Sequence, residues 1–173
     1  SEGQFSFTNV YNDASSKNYV NYSSITRCMN QISNSHGVLN PRNGKVCCSS
    51  INMSMNKSPC IPTIWSDPFS DSNYVTSSLV YSSFTDNTAI NCIGFQLWRP
   101  GVNHEIKSCN ILRNTQNSLS SYGTIITQGN LMIEDSCILE NKADYIFYTS
   151  SSYRIILSNC IVDSTSNNGY LIT

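Results

Sequence analysis

The sequence predicts an all-β chain wound as a right-handed parallel β-helix, a solenoid of about six turns. Three observations predict it: a six-residue signature that recurs, short β-prone runs between its copies, and no helical periodicity. The signature reads small-small-aliphatic-x-x-polar. It occurs at Ser23-Ser24-Ile25 with Cys28, Ser49-Ser50-Ile51 with Ser54, and Ser82-Ser83-Phe84 with Asn87. It returns at Cys109-Asn110-Ile111 with Asn114, Ser136-Cys137-Ile138 with Asn141, and Asn159-Cys160-Ile161 with Ser164. By subtraction, the anchors Ile25, Ile51, Phe84, Ile111, Ile138 and Ile161 are 26, 33, 27, 27 and 23 residues apart. That is one solenoid turn with loops of variable length.

Between the anchors lie the β-prone runs, such as Ile93-Gly94-Phe95-Gln96-Leu97, Gly123-Thr124-Ile125-Ile126, Tyr145-Ile146-Phe147-Tyr148, Arg154-Ile155-Ile156-Leu157 and Gly169-Tyr170-Leu171-Ile172. All are short and bounded by Gly, Ser, Asn or Pro. No long stretch carries a 3.6-residue apolar period with a start signal. Stacked in parallel, equivalent residues of successive coils lie about 4.8 Å apart, so the anchors form one interior column. Asn in the polar column suits the left-handed backbone that sharp corners demand. The stacking also predicts ion pairs between coils, Lys107 with Glu134, and an alternating ladder of Asp86, Arg113 and Glu140. A sandwich would space strands more evenly and has no reason to repeat a signature at this interval.

At 173 residues the chain is expected to be one domain, with residues 1–19 as an irregular N-terminal cap and residues 20–173 as coils. Tyr170-Leu171-Ile172-Thr173 reads as the start of another coil, so the expectation is a fragment of a longer chain or an end packed on a partner. Only 12% of residues are charged, while there are 30 Ser and 22 Asn. With 39% hydrophobic residues and ten Tyr, there is nevertheless a core to bury. A net charge of −1, with the basic residues scattered, argues against nucleic acid as a partner. No apolar run approaches the roughly 18 residues of a membrane span.

Eight Cys and two His, without a CxxC, make a structural zinc site an unpromising reading and leave disulfides or packed thiols. Cys60 and Cys92 fall nine and eight residues after their anchors, and Cys137 and Cys160 just before theirs, so both pairs are disulfide candidates between neighbouring coils. Asn21, Asn52 and Asn56 each head an Asn-x-Ser motif.

Paired carboxylates are the first requirement of a carbohydrate-cleaving site. The acidic clusters are Asp67 with Asp71, Glu134-Asp135, and Glu140 with Asp144, and each reads most simply as loop or ladder charge. No catalytic motif and no cofactor-binding motif is present, so neither a catalytic residue nor a cofactor is expected. Recognition is better placed in the insertions: Cys60 to Phe69 and Trp98-Arg99-Pro100-Gly101 would project from the solenoid, making Trp65, Phe69, Trp98 and Arg99 a candidate contact surface. Capping of the core by the two Trp is the simpler alternative.

The segments Phe84-Thr85-Asp86-Asn87, Ile111-Leu112-Arg113-Asn114 and Ile138-Leu139-Glu140-Asn141 resemble the FxxN half of the repeat in polymorphic outer-membrane proteins. More loosely they are similar to repeats in β-helical surface proteins of parasitic protists, autotransporter passenger domains and pectin-lyase-like proteins. The companion GGA[ILV] motif of the bacterial family is missing, and its nearest equivalents are lone glycines such as Gly37, Gly123 and Gly169. The resemblance implies a β-helix on a cell surface or outside the cell, used for adhesion, recognition or display toward a protein or glycan on another surface. A carbohydrate-active enzyme of the pectin-lyase class and a structural part of a larger assembly are the alternatives.

Overall fold

In a computed structural model of the chain, residues 5–8, 17–29, 38–42, 45–58, 64–66, 75–95, 103–117, 122–150 and 152–173 are described, with the backbone alone at 5–8, 42, 65–66 and 75–76. No helix occurs among them, and every strand pair is parallel. The chain is a β-solenoid. One 7-stranded sheet, sheet I, contains Lys17–Asn21, Lys45–Ser49, Val75–Val80, Asn103–Lys107, Asn130–Glu134, Arg154–Ser158 and Tyr170–Ile172. Sheet II holds Ser24–Thr26, Asn52–Ser54, Ser83–Thr85, Asn110–Leu112, Cys137–Leu139 and Ile161–Val162. A 3-stranded sheet follows it, made of Lys57–Ser58, Thr88–Ala89 and Thr115–Gln116. Sheet III closes the circuit with seven strands, Phe5–Thr8, Leu39–Arg42, Ile64–Ser66, Ile93–Phe95, Ile125–Thr127, Phe147–Thr149 and Asn167–Asn168.

Side chains alternate in and out along each strand, and sheet I shows it cleanly: in Asn130–Glu134, Leu131 and Ile133 are buried while Asn130, Met132 and Glu134 face outward. The inward residue of sheet II forms the column Ile25, Met53, Phe84, Ile111, Ile138 and Val162. Four of these six are the anchors expected from the signature. Ile51 and Ile161 are not: Met53 and Val162 hold the core positions, and Ile161 is 65% exposed. Ile51 is still buried, but it sits one corner earlier, with its N–H bonded to Ser82 Oγ of the next coil. Facing the sheet II column are Leu79, Ile106 and Ile133 from sheet I and Ile64, Ile93, Ile125 and Phe147 from sheet III, all buried. Full burial of each such side chain contributes about 1.5–3 kcal/mol, which makes this stack the main source of stability.

Two left-handed corners flank each of the first five sheet II strands, and the sixth, Ile161–Val162, has only the first of them. Tyr22, Ser50, Tyr81, Ser108, Asp135 and Asn159 form the first column of positive φ, and Arg27, Met55, Asp86, Arg113 and Glu140 the second. Asn159 is the one asparagine among them, so the expectation that Asn supplies the left-handed corners is corrected. The cost for an L residue is roughly 1–2 kcal/mol. It is offset because the corner N–H then points along the stack, as in Tyr81 N–H to Lys107 O and Arg113 N–H to Leu139 O, both 3.0 Å.

The asparagines sit one residue later and do something else. Asn56, Asn87, Asn114 and Asn141 form a side-chain ladder inside the corner. Asn56 Nδ2 donates to Asn87 Oδ1 and Asn87 Nδ2 to Asn114 Oδ1 at 2.9 Å, and Asn114 Nδ2 donates to Asn141 Oδ1 at 3.0 Å. Each Nδ2 also donates to the carbonyl of the sheet II residue one coil back: Ile25, Met53, Phe84 and Ile111. Each Oδ1 also accepts from the preceding rung's backbone N–H, a second bond at Asn87, Asn114 and Asn141, while Asn56 Oδ1 receives Cys28 N–H alone from that side. The signature placed Ser54 in this column; Asn56 is the true member, because Met53 rather than Ile51 is the core residue three positions before it.

Candidate functional site

Outward side chains of sheet I also stack in columns, and near its C-terminal strands they frame a groove of about 380 Å³. One wall column runs Asn103, Asn130, Arg154; the other adds Met132 and Ile156, which pair directly across adjacent strands. The alternation of the sheet would normally put polar residues at Met132 and Ile156, so an apolar strip lies open between amides and a guanidinium. Asn130 Oδ1 lies 3.4 Å from Arg154 N–H, which ties the second strand's amide to the third strand's backbone. Arg154 is exposed and forms no ion pair among the described residues.

The register of sheet I breaks at the groove's edge. Asn103 pairs with Val75 while His104 pairs with Ser77, so one residue of Val75–Val80 is bulged out of the ladder. Bulges re-aim the side chains beside them. Beneath the floor, His104 is buried and stacked on Phe95, ring centroids 4.5 Å apart, and neither ring nitrogen has a hydrogen-bond partner among the described residues. Burial pushes its pKa down to about 3, so the ring is neutral at ordinary pH.

The contact residues expected from the insertions stand as follows. Trp65 lies in the sheet III strand Ile64–Ser66, its backbone paired with Gly94. Phe69, Trp98 and Arg99 lie outside the described residues. Residues 96–102 nevertheless connect Phe95 to Asn103, so the Trp98 insertion leads directly into the first groove strand. Asn103, Asn130, Met132, Arg154 and Ile156 had not stood out in the sequence; apolar residues at outward positions between Asn and Arg are the signal, and it is visible only once the strand register is known.

No protein family, curated protein or solved structure matches the chain.

Of the ion pairs expected between coils, Lys107 with Glu134 and Asp86 with Arg113 are present, whereas among the described residues Arg113 makes no ion pair with Glu140. Arg113 grips Asp86 with two bonds, Nε to Oδ1 at 2.8 Å and an Nη to Oδ2 at 3.0 Å, and this holds the Asp86 carboxyl below the usual range. Glu140 continues the same corner column, and its charge helps raise the Arg113 pKa, behind the Asp86 contacts. Lys107 Nζ is 3.0 Å from Glu134 and 4.0 Å from Asp135. The acidic pair Glu134-Asp135 is therefore ladder charge, whereas Asp67 and Asp71 lie outside the described residues.

The cysteine pairing is different from the expected one. All seven described cysteines are free thiols, Cys92, Cys137 and Cys160 included, and Cys60 lies outside the described residues. Cys137 and Cys160 do not share a column. Cys137 is an outward residue of sheet II paired with Ile161, while Cys160 occupies the first corner and donates Sγ–H to Ser158 O at 3.3 Å. Ser82, Cys109 and Ser136 make the same corner bond to Val80, Lys107 and Glu134, so cysteine here stands in for serine. Burial pushes the Cys109 thiol up to about 11 and that of Cys48 to about 12, which keeps both protonated. Among the described residues no group of three potential metal ligands occurs, and no helix is long and apolar enough to cross a membrane.

Proposed function

We propose that this chain is a recognition module of a cell surface or the extracellular space, a rigid solenoid whose outer face binds a protein or glycan carried on another surface. The observation that carries the reading is the groove: amides at Asn103 and Asn130, a guanidinium at Arg154 and an apolar strip at Met132 and Ile156 converge on about 380 Å³. Pockets of this size, largely apolar with a few fixed polar groups, are how folded surfaces hold small ligands or the tip of a larger one. A stacked sheet suits the task, because its columns hold these side chains in place without cost at the moment of binding. In the sequence, the insertion that contains Trp98 and Arg99 immediately precedes the groove strand Asn103–Lys107.

The test is a glycan-array and cell-binding screen of the purified chain, followed by Arg154→Ala and Met132→Ala. The expected result is at least a tenfold loss of binding in either variant with an unchanged melting temperature. Binding that survives both substitutions would remove the groove from the reading. Turnover of a polysaccharide by the purified chain would replace recognition by catalysis.

A further inference from the structure

Three Asn-x-Ser motifs lie in the N-terminal half, Asn21-Tyr22-Ser23, Asn52-Met53-Ser54 and Asn56-Lys57-Ser58, and the fold treats them differently. Asn56 is fully buried, and both hydrogens of its Nδ2 are in use, to Ile25 O at 3.0 Å and Asn87 Oδ1 at 2.9 Å. Asn21 ends a sheet I strand and Asn52 begins a sheet II strand; both are exposed, and neither side-chain amide has a hydrogen-bond partner among the described residues. They flank the same corner on neighbouring coils, with Asn52 N–H donating to Ser23 O at 2.8 Å.

We propose that Asn21 and Asn52 carry N-linked glycans and that Asn56 does not. The donor class is a polyprenyl-pyrophosphate-linked oligosaccharide. Nδ2 of the asparagine attacks the anomeric carbon, an N–C bond forms, and the C–O bond to the pyrophosphate breaks with its electron pair leaving on the polyprenyl pyrophosphate. The transferase's base takes the proton lost from Nδ2. Met53 and Ser54 are buried in the folded chain, so the transfer to Asn52 precedes coil closure. The finished fold then accepts a glycan at Asn21 and Asn52, whose side chains face solvent. It rejects one at Asn56, because a glycosylated amide keeps a single N–H where the ladder uses two, and the site has no room. The two glycans would cluster on the first coils, two to three rungs, or roughly 10–14 Å at the strand spacing, from the groove strand Asn103–Lys107.

The experiment is secretion of the full chain from N-glycosylating cells, with peptide mapping after enzymatic deglycosylation in heavy-oxygen water, which marks each formerly glycosylated Asn as a labelled Asp. Label at Asn21 and Asn52, and none at Asn56 in the fraction that melts cooperatively, is the expected pattern. Asn21→Gln and Asn52→Gln should each remove one glycan and leave the melting temperature unchanged; Asn56→Gln should remove none and lower it. Should little chain be secreted, translation of Asn56→Gln into microsomes reads the same point as two gel shifts. An unlabelled Asn21 or Asn52, fewer than two shifts, or a glycan at Asn56 in cooperatively folded protein overturns the proposal.

Discussion

Replacing Asn114 by Ala deletes one rung from the middle of the corner ladder. In the wild type, Asn114 Oδ1 accepts Asn87 N–H at 3.1 Å and Asn87 Nδ2–H at 2.9 Å, while its own Nδ2 donates to Phe84 O at 2.9 Å and Asn141 Oδ1 at 3.0 Å. The truncation leaves two donors of Asn87 without acceptors in a place where Asn87 is 1% exposed and water has no easy access. An unsatisfied buried donor costs about 1–3 kcal/mol, so the expected destabilisation is about 3 kcal/mol or more. The control is Asn110→Ala, four positions earlier on the exposed face of sheet II, which should lie within about 0.5 kcal/mol of wild type. Urea unfolding followed by circular dichroism measures both, with the midpoint shift read as stability where the slope is unchanged. If Asn114→Ala cost no more than Asn110→Ala, the ladder would be an ornament of the corner rather than part of what holds the coils in register.

Three further outcomes are expected. Between pH 6.5 and about 3 the unfolded chain binds a proton at His104 that the folded chain refuses, so stability falls as pH falls; about 2.5 kcal/mol should be lost between pH 7 and 4.5, and His104→Phe should remove that share of the acid sensitivity in urea titrations at the two pH values. Cys28→Asn should add a rung at the N-terminal end of the ladder, its Nδ2 reaching the Asn56 Oδ1 that now receives only Cys28 N–H from that side, for a gain of about 1 kcal/mol; a lower midpoint would speak against extension. Gly123→Ala meets a backbone at φ 70° and would place its Cβ 2.7 Å from Tyr145 O, so thermal melting should show a loss of about 2 kcal/mol, and an unchanged melting temperature would contradict the strain.

Much of the solenoid was legible because stacking makes sequence spacing equal to spatial coincidence. Phe84, Ile111 and Ile138 with Asn87, Asn114 and Asn141 repeat every 27 residues, and both the core column and the charge column Asp86, Arg113, Glu140 followed from that spacing. Reading failed where a coil offers two apolar candidates. Ile51 fits the small-small-aliphatic signature and Met53 does not, but the corner geometry decides, since the ladder amide stands three positions after the core residue, which selects Met53 with Asn56. Ile161 and Val162 pose the same ambiguity, and the shortened last corner, where Asp163 caps Glu140 N–H, hid the answer. The cysteines misled because a thiol and a hydroxyl make the same corner bond, so a cysteine column carries no message about oxidation. The groove was illegible for another reason: outward columns depend on the phase of every strand, and the bulge opposite Asn103 changes that phase by a residue.

The amide ladder also bears on how such a chain can grow. Its bonds are made only between nearest rungs, and they close equally well whether 31 residues separate two asparagines, as from Asn56 to Asn87, or 27, as from Asn87 to Asn114. Loop length is therefore free to drift while the rung stays put. The dipeptides Asn87-Thr88 and Asn114-Thr115 are identical, so duplicating or excising the segment between them would leave the same residues meeting at the seam. Gene-level copying of one whole winding is thus nearly silent at the seam, and a protein of this kind can lengthen or shorten without first inventing a new core.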